Sequence, residues 1–163
     1  GIRQRQLGGV NMEFINFVSD KVIDLKMDCK TKEDFFKEIH NKVFDLGFVK
    51  EEFGEKILAR ENVFPTGLNL GDYGVAIPHT DAEYIKEQFI SVCTFNEPVV
   101  FSSMEDQDEK VPVNLAFVLG LNQPHSQLSV LTELMGIMQN KELVDKLMSS
   151  TDKEEVLKTL KSL

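Results

Sequence analysis

The eight residues Gly74-Val75-Ala76-Ile77-Pro78-His79-Thr80-Asp81 are the arrangement in this chain best suited to chemistry. Val75, Ala76 and Ile77 read as a short buried strand, a proline ends it, and a histidine stands directly after the stop. Pro78 lacks a backbone N–H and has a fixed φ, so a central strand does not run through it. It also holds Ile77 extended. The imidazole of His79 is thereby delivered at a strand terminus on a stiff backbone, within reach of solvent and of a partner. A neutral imidazole, with an ordinary pKa near ~6.5, offers a free ring nitrogen as a nucleophile at neutral pH. The same spacing also fits a surface histidine that closes a loop.

His125 is the second candidate among three histidines. It opens the helix that follows a strongly apolar run, where unpaired N–H groups and a partial positive charge favour anions. Two strand ends would then carry two imidazoles on one rim of a sheet, the usual ligand side of open α/β sheets. Taken alone, His125 reads as a helix-opening surface residue beside Pro124. His40 lies on a helix whose apolar face is Phe36, Ile39 and Val43, which suits packing rather than ligand binding. Arg60 faces the stretch Glu61-Asn62-Val63-Phe64-Pro65-Thr66-Gly67-Leu68. Its guanidinium suits bidentate phosphate contact, and Thr66 offers a hydroxyl donor. A solvated arginine at a helix C-terminus fits the same position. No Gly-rich phosphate loop, nucleophile elbow or zinc-protease motif occurs. The acidic run Glu105-Asp106-Gln107-Asp108-Glu109 reads as a solvated hairpin tip.

These residues need a scaffold. Thr31 with Asp34 three positions on is a helix-opening signature, Phe35, Ile39, Val43 and Leu46 continue at helical spacing, and Gly47 supplies the stop. A second helix is expected over Lys50 to Arg60, then an ordered loop over Glu61 to Tyr73. Strands are expected at Val75–Ile77, Phe89–Phe95, Val99–Phe101 and Val113–Leu119, the last continuously apolar as a central strand should be. Leu128, Leu131, Met135 and Met138 mark an amphipathic helix. Two more follow over Lys141–Met148 and from Thr151, opened by the box Thr151…Glu154. The expected architecture is one α/β domain in which helices flank a single sheet of mixed direction.

A chain of 163 residues with 42 % hydrophobic and 28 % charged positions is long enough for one such core. Its net charge of −9 argues against nucleic acid, which needs clustered Lys and Arg, and suits a basic protein partner. No apolar run approaches a membrane span and no signal peptide opens the chain, so no membrane insertion is expected and the cytoplasm is the expected location. Cys29 and Cys93 lack metal-type spacing and read as small buried hydrophobes with reduced thiols. Residues 1–11 are unpatterned, with two Arg, two Gln and three Gly. They read as a cloning residue or flexible lead-in, with Met12 a natural start and the domain over 12–163.

The segment Arg60-Glu61…Phe64-Pro65-Thr66-Gly67-Leu68, followed by Gly74-Val75-Ala76-Ile77-Pro78-His79, resembles the enzyme IIA domain of the bacterial phosphoenolpyruvate-dependent sugar phosphotransferase system, of the fructose/mannitol/galactitol type. The Phe-Pro-Thr-Gly stretch is most similar to galactitol-like members. The likeness continues through His125-Ser126-Gln127-Leu128-Ser129-Val130-Leu131 and covers essentially Met12 to Leu163. The resemblance implies the mannitol/fructose-type enzyme IIA fold. It implies that His79 accepts a phosphoryl group from the phosphocarrier protein HPr and passes it to a cysteine of the cognate enzyme IIB. His125, Arg60 and Thr66 are then candidate donors around the transferring group, and no cofactor or metal is called for. The partners would meet a shallow rim with an apolar collar, including Phe64 and Leu68, and the sugar itself would bind elsewhere. Two alternatives remain. Nitrogen-type members use the phosphorylation state of the same histidine to control binding to another protein. A pure binding domain would leave His79 unphosphorylated.

Overall fold

The computed structural model describes residues 12–163; the lead-in expected over residues 1–11 lies outside the described residues. Five strands form one open sheet: β1 (Ile23–Met27), β2 (Gly67–Asn69), β3 (Gly74–Ala76), β4 (Phe89–Ser102) and β5 (Lys110–Gly120). Their order is β1-β4-β5-β3-β2. β1 runs parallel to β4, and β3 parallel to β5, while β4–β5 and β2–β3 are antiparallel. The mixed α/β architecture expected from the sequence is the one observed.

The apolar run in β5 is continuous because both of its faces are buried. Leu115, Phe117 and Leu119 pack with Val75, Ile90 and Val92 against α3 (Pro124–Met138), α4 (Lys141–Ser149) and α5 (Lys153–Lys161). Ala116 and Val118 point the other way with Cys93 and Phe95, against α1 (Lys32–Asp45) and α2 (Phe53–Val63). Period-two alternation inside an unbroken apolar run is what a strand covered on both faces requires.

α1 opens as expected: the Thr31 hydroxyl accepts from the Asp34 N–H at 3.1 Å. It closes at Gly47, whose φ of 81° lies in the left-handed region. Elsewhere the boundaries differ from expectation. α2 begins at Phe53 and continues past Arg60 to Val63, so the expected loop over Glu61 to Tyr73 holds the last turn of a helix and an edge strand. That edge, Gly67–Asn69, pairs with Ala76, Val75 and Gly74. The two expected strands at 89–95 and 99–101 are one strand, whose register shifts between Thr94 and Val99. β1 was unforeseen although IDLKM alternates apolar and polar residues; it is only five residues long, and its pairing with β4 is irregular where Lys26 takes a φ of 56°. α5 is capped by Asp152, which accepts from the Glu154 N–H at 2.9 Å, and not by Thr151.

β3 can lie against β5 only because residue 74 is glycine. A Cβ there would stand 2.1 Å from the Pro112 carbonyl oxygen and 3.0 Å from its carbon, and backbone cannot yield as a side-chain tip can. Gly74→Ala is therefore expected to destabilise the domain by about 3 kcal/mol, the upper part of the usual overpacking cost. Urea denaturation checks this; a variant within experimental error of the parent would show that β3 shifts freely.

Candidate functional site

β3 leaves the ladder at Ala76, and the next three residues are held one by one. The Ile77 N–H donates to the Thr66 hydroxyl at 3.2 Å. Pro78 has no N–H, but its carbonyl accepts from the Leu119 N–H at 2.9 Å, which ties it to the end of β5. His79 follows, half-buried, and its Nδ1 lies 2.9 Å from the Ile77 carbonyl oxygen. A carbonyl only accepts, so Nδ1 carries the ring proton and Nε2 keeps the lone pair. Burial lowers the imidazole pKa from its usual 6.5; the Ile77 carbonyl opposes this, Arg60 adds to it and Asp81 opposes it. The ring is neutral at physiological pH, with one tautomer selected.

His79 borders an open hollow of about 300 Å³, whose other walls include Arg60, Phe64, Thr66 and Met104. Arg60 stands in the last turn of α2. Its guanidinium is 3.1 Å from the Asp81 carboxylate and 5.5 Å from the centre of the Phe64 ring. The ion pair is exposed on both sides, so it orients the guanidinium more than it stabilises the fold. Phe64 is 63 % exposed and Met104 45 %, giving the rim an apolar character. Leu68, the other residue expected in that collar, is half-buried and lines a neighbouring hollow of about 380 Å³ with Met135 and Met138. The acidic tip after β4 is not merely solvated: Glu105 and Gln107 form a wall of the His79 hollow, and the Gln107 amide donates to the Val63 carbonyl.

The sequence candidates thus separate. Arg60, Thr66 and His79 come together around one hollow. His125 is exposed at the second position of α3 and is not among the residues lining that hollow. The Thr66 hydroxyl was expected to offer its proton to a phosphate. It is only 5 % exposed and donates that proton to Glu61, 2.9 Å from Oε1, while the Thr66 N–H donates to Oε2 at 2.7 Å. Its role as a direct donor is therefore corrected to one of support. His40 packs as expected, with its Nδ1 accepting from the Gly54 N–H at 2.9 Å and its ring stacked on Phe44 and Phe53. Cys29 and Cys93 are buried free thiols. Burial, with nearby carboxylates, raises Cys29 to about 11, and burial raises Cys93 well above its usual value, so neither is a thiolate nucleophile. Among the described residues no three of His, Cys, Asp and Glu converge in a metal-type group. No helix among them is long and apolar enough to cross a membrane.

Glu61 escaped sequence reasoning, although it sits beside Arg60. It is 2 % exposed, and burial pushes its carboxyl from 4.5 up to about 7, against the two Thr66 hydrogen bonds and the more distant Lys32 charge, which favour ionisation. The folded chain holds this proton to higher pH than the unfolded chain does. The resulting stability is complete below pH 4.5 and is lost as pH rises through about 7. The full difference is about 3 kcal/mol at 1.36 kcal/mol per unit of pKa. Glu61→Gln does not titrate, so its stability relative to the parent is expected to rise from about pH 5 to about pH 8. Parallel denaturation midpoints for the two proteins across that range would refute the assignment.

The hollow beside His79 is open and lies at the lower end of the small-molecule size range. The chain belongs to the family "Phosphoenolpyruvate-dependent sugar phosphotransferase system, EIIA 2", whose model matches residues 16–163. Members move phosphoryl groups between proteins, and this chain is a phosphocarrier of that system. It is 30 % identical over 118 residues to the galactitol-specific EIIA component of Escherichia coli K12, covering 72 % of this chain and 78 % of that protein. It is 31 % identical over 144 residues to the mannitol-specific enzyme IIA component of Halalkalibacterium halodurans, covering 86 % and 91 %. In fold it is similar to the mannitol enzyme IIA in a complex with phosphorylated enzyme IIB from Escherichia coli. The TM-score there is 0.70 at 23 % identity, over 89 % of this chain and 97 % of the other.

Proposed function

We propose that Nε2 of His79 is the atom that carries the phosphoryl group, received from phospho-HPr and handed to a cysteine of a cognate enzyme IIB during sugar uptake. The observation that carries this reading is the bond from Nδ1–H to the Ile77 carbonyl, which leaves Nε2 as the free nucleophile on a ring bordering an open hollow.

In the first step Nε2 attacks phosphorus, the phosphorus–nitrogen bond to the donor breaks, and the donor imidazole leaves with the electron pair. The Nδ1 proton does not move; the positive charge that develops on the His79 ring is met by the Ile77 carbonyl. In the second step a thiolate of enzyme IIB attacks phosphorus and neutral His79 leaves. Both transfers pass through a loose transition state with negative charge on the equatorial oxygens, so positioning and fixed positive charge do most of the catalysis. Arg60 is the cation at the hollow, and Asp81 and Phe64 hold it in place. His125, the remaining donor candidate from the sequence, is exposed on α3 and does not line the hollow, so this reading gives it no direct part in holding the phosphoryl group. No cofactor or metal enters either step. The exposed apolar rim supports a small, transient protein contact. The acceptor thiol belongs to the partner, because both thiols of this chain are buried. The reading carries a cytoplasmic location with it. The sugar-specific names of its relatives favour transport over the nitrogen-type regulatory role.

Incubation with phosphoenolpyruvate, enzyme I and HPr, followed by mass spectrometry that preserves acid-labile phosphate, tests the proposal. One phosphate on His79, lost on brief acidification and transferred onward to an enzyme IIB cysteine, is expected. Phosphorylation without onward transfer would favour the regulatory role. No phosphate beside an active HPr control would leave a binding module.

A further inference from the structure

Glu61 is the only ionisable side chain in the buried polar set of the described residues, and it lies beneath the hollow of His79. Burying a carboxylate is costly unless its oxygens are fully hydrogen-bonded. Here every recorded partner is Thr66: its N–H at 2.7 Å from Oε2, and its hydroxyl at 2.9 Å from Oε1 and 3.2 Å from Oε2. When Glu61 is ionised, above about pH 7, the Thr66 proton is committed to the carboxylate and the lone pairs of its oxygen accept from the Ile77 N–H at 3.2 Å. The Ile77 carbonyl in turn accepts from Nδ1 of His79 at 2.9 Å. Hydrogen bonds from Glu61 to Thr66, from Thr66 to the Ile77 N–H and from the Ile77 carbonyl to His79, joined through the Ile77 backbone, link a buried acid to the nucleophile.

The β3 ladder ends at Ala76, and beyond it β5 holds the Pro78 carbonyl through the Leu119 N–H, while Pro78 itself has no N–H to anchor. Ile77 is thus the last residue before His79 whose N–H can be anchored, and the anchor is a side chain whose rotamer Glu61 sets. An apolar residue at 61 would leave two Thr66 donors buried without acceptors and free the hydroxyl to turn.

We propose that Glu61 is a positioning residue for phosphoryl transfer, which acts through Thr66 and the Ile77 backbone to aim the carbonyl that keeps the proton on Nδ1 of His79. This rests on His79 being the phosphoryl acceptor. Thr66 belongs to the same device.

The test uses the full chain at about pH 8, where Glu61 is ionised, with Thr66→Val, Thr66→Ser and Glu61→Gln. The ring-nitrogen NMR signals of His79 report the tautomer, and kinetics with phospho-HPr report kcat and KM separately. Thr66→Val removes the hydroxyl at nearly constant volume. It is expected to mix the two tautomers of His79 and to lower kcat roughly a hundredfold with KM unchanged, the scale of a 1 Å misplacement. Thr66→Ser restores the hydroxyl and is expected to restore both readouts. In Glu61→Gln one Thr66 donor faces an amide NH₂, so the same two readouts move in the same direction. This variant decides the matter if Thr66→Val does not fold. A single Nδ1–H tautomer and unchanged kcat in a folded Thr66→Val or Glu61→Gln overturns the proposal. The NMR arm needs no phosphoryl donor. If unmodified protein shows the single tautomer, the variants mix it and no phosphate is accepted, the carrier reading fails while the positioning stands.

Discussion

Replacing His79 with Ala or Gln is expected to abolish phosphoryl acceptance and to leave the fold intact. Acceptance needs a nucleophilic nitrogen with a lone pair at neutral pH, and neither side chain has one. His40 uses its Nδ1 to accept from Gly54 and is stacked between Phe44 and Phe53, so it is no substitute. His125 does not line the hollow. The structural cost is small, because the recorded hydrogen bond of the His79 side chain is the one to the Ile77 carbonyl, and losing it costs about 1 kcal/mol. The variants should therefore unfold at nearly the parent's urea midpoint while showing no acid-labile phosphate after incubation with phospho-HPr. Phosphate incorporated at the parent's rate into either variant would move the acceptor role to another residue.

Arg60→Ala has the next largest expected effect, a roughly hundredfold slower transfer from phospho-HPr. The guanidinium is the cation at the His79 hollow, and in the proposed transfer it faces the negative charge on the equatorial phosphoryl oxygens. Removing one well-placed stabilising donor costs about 3 kcal/mol of transition-state stabilisation. Stability should change by less than about 1 kcal/mol, since the pair with Asp81 is exposed and its residual stacking on Phe64 is a surface contact. Arg60→Lys should recover only part of the rate, because an ammonium is a point charge without the planar fork that spans two oxygens. The distinction is measured by single-turnover transfer beside urea denaturation. A rate within twofold of the parent for Arg60→Ala would reduce this residue to a surface ion pair.

The two halves of the site call on different physics, and this decides how each was read. His79 was legible because Pro78 writes its constraint into the local backbone: no N–H, a fixed φ, and an extended Ile77 before it. Arg60 was legible as a cation near the end of a helix. Its partner Asp81 is 21 positions away, and only the packing of α2 beside the segment after β3 brings the two together. The expected loop over 61–73 failed for a related reason. Gly67–Asn69 has no strand pattern of its own, and becomes a strand because β3 offers it a ladder.

By itself the sequence determined the α/β class, the buried central strand, the Pro78–His79 stop and the membership that these motifs announce. The first three rest on local chemistry, namely side-chain period, caps and the proline ring, and the membership rests on the resemblance of the motifs to a known family. The tertiary structure alone decided which ring nitrogen of His79 is free, that the Thr66 hydroxyl is turned inward, that the acidic tip walls the hollow and that Glu61 is buried. Each of those depends on what lies across a sheet or against a helix. A hydrogen bond or a desolvated carboxylate exists only once two distant stretches of chain are in contact.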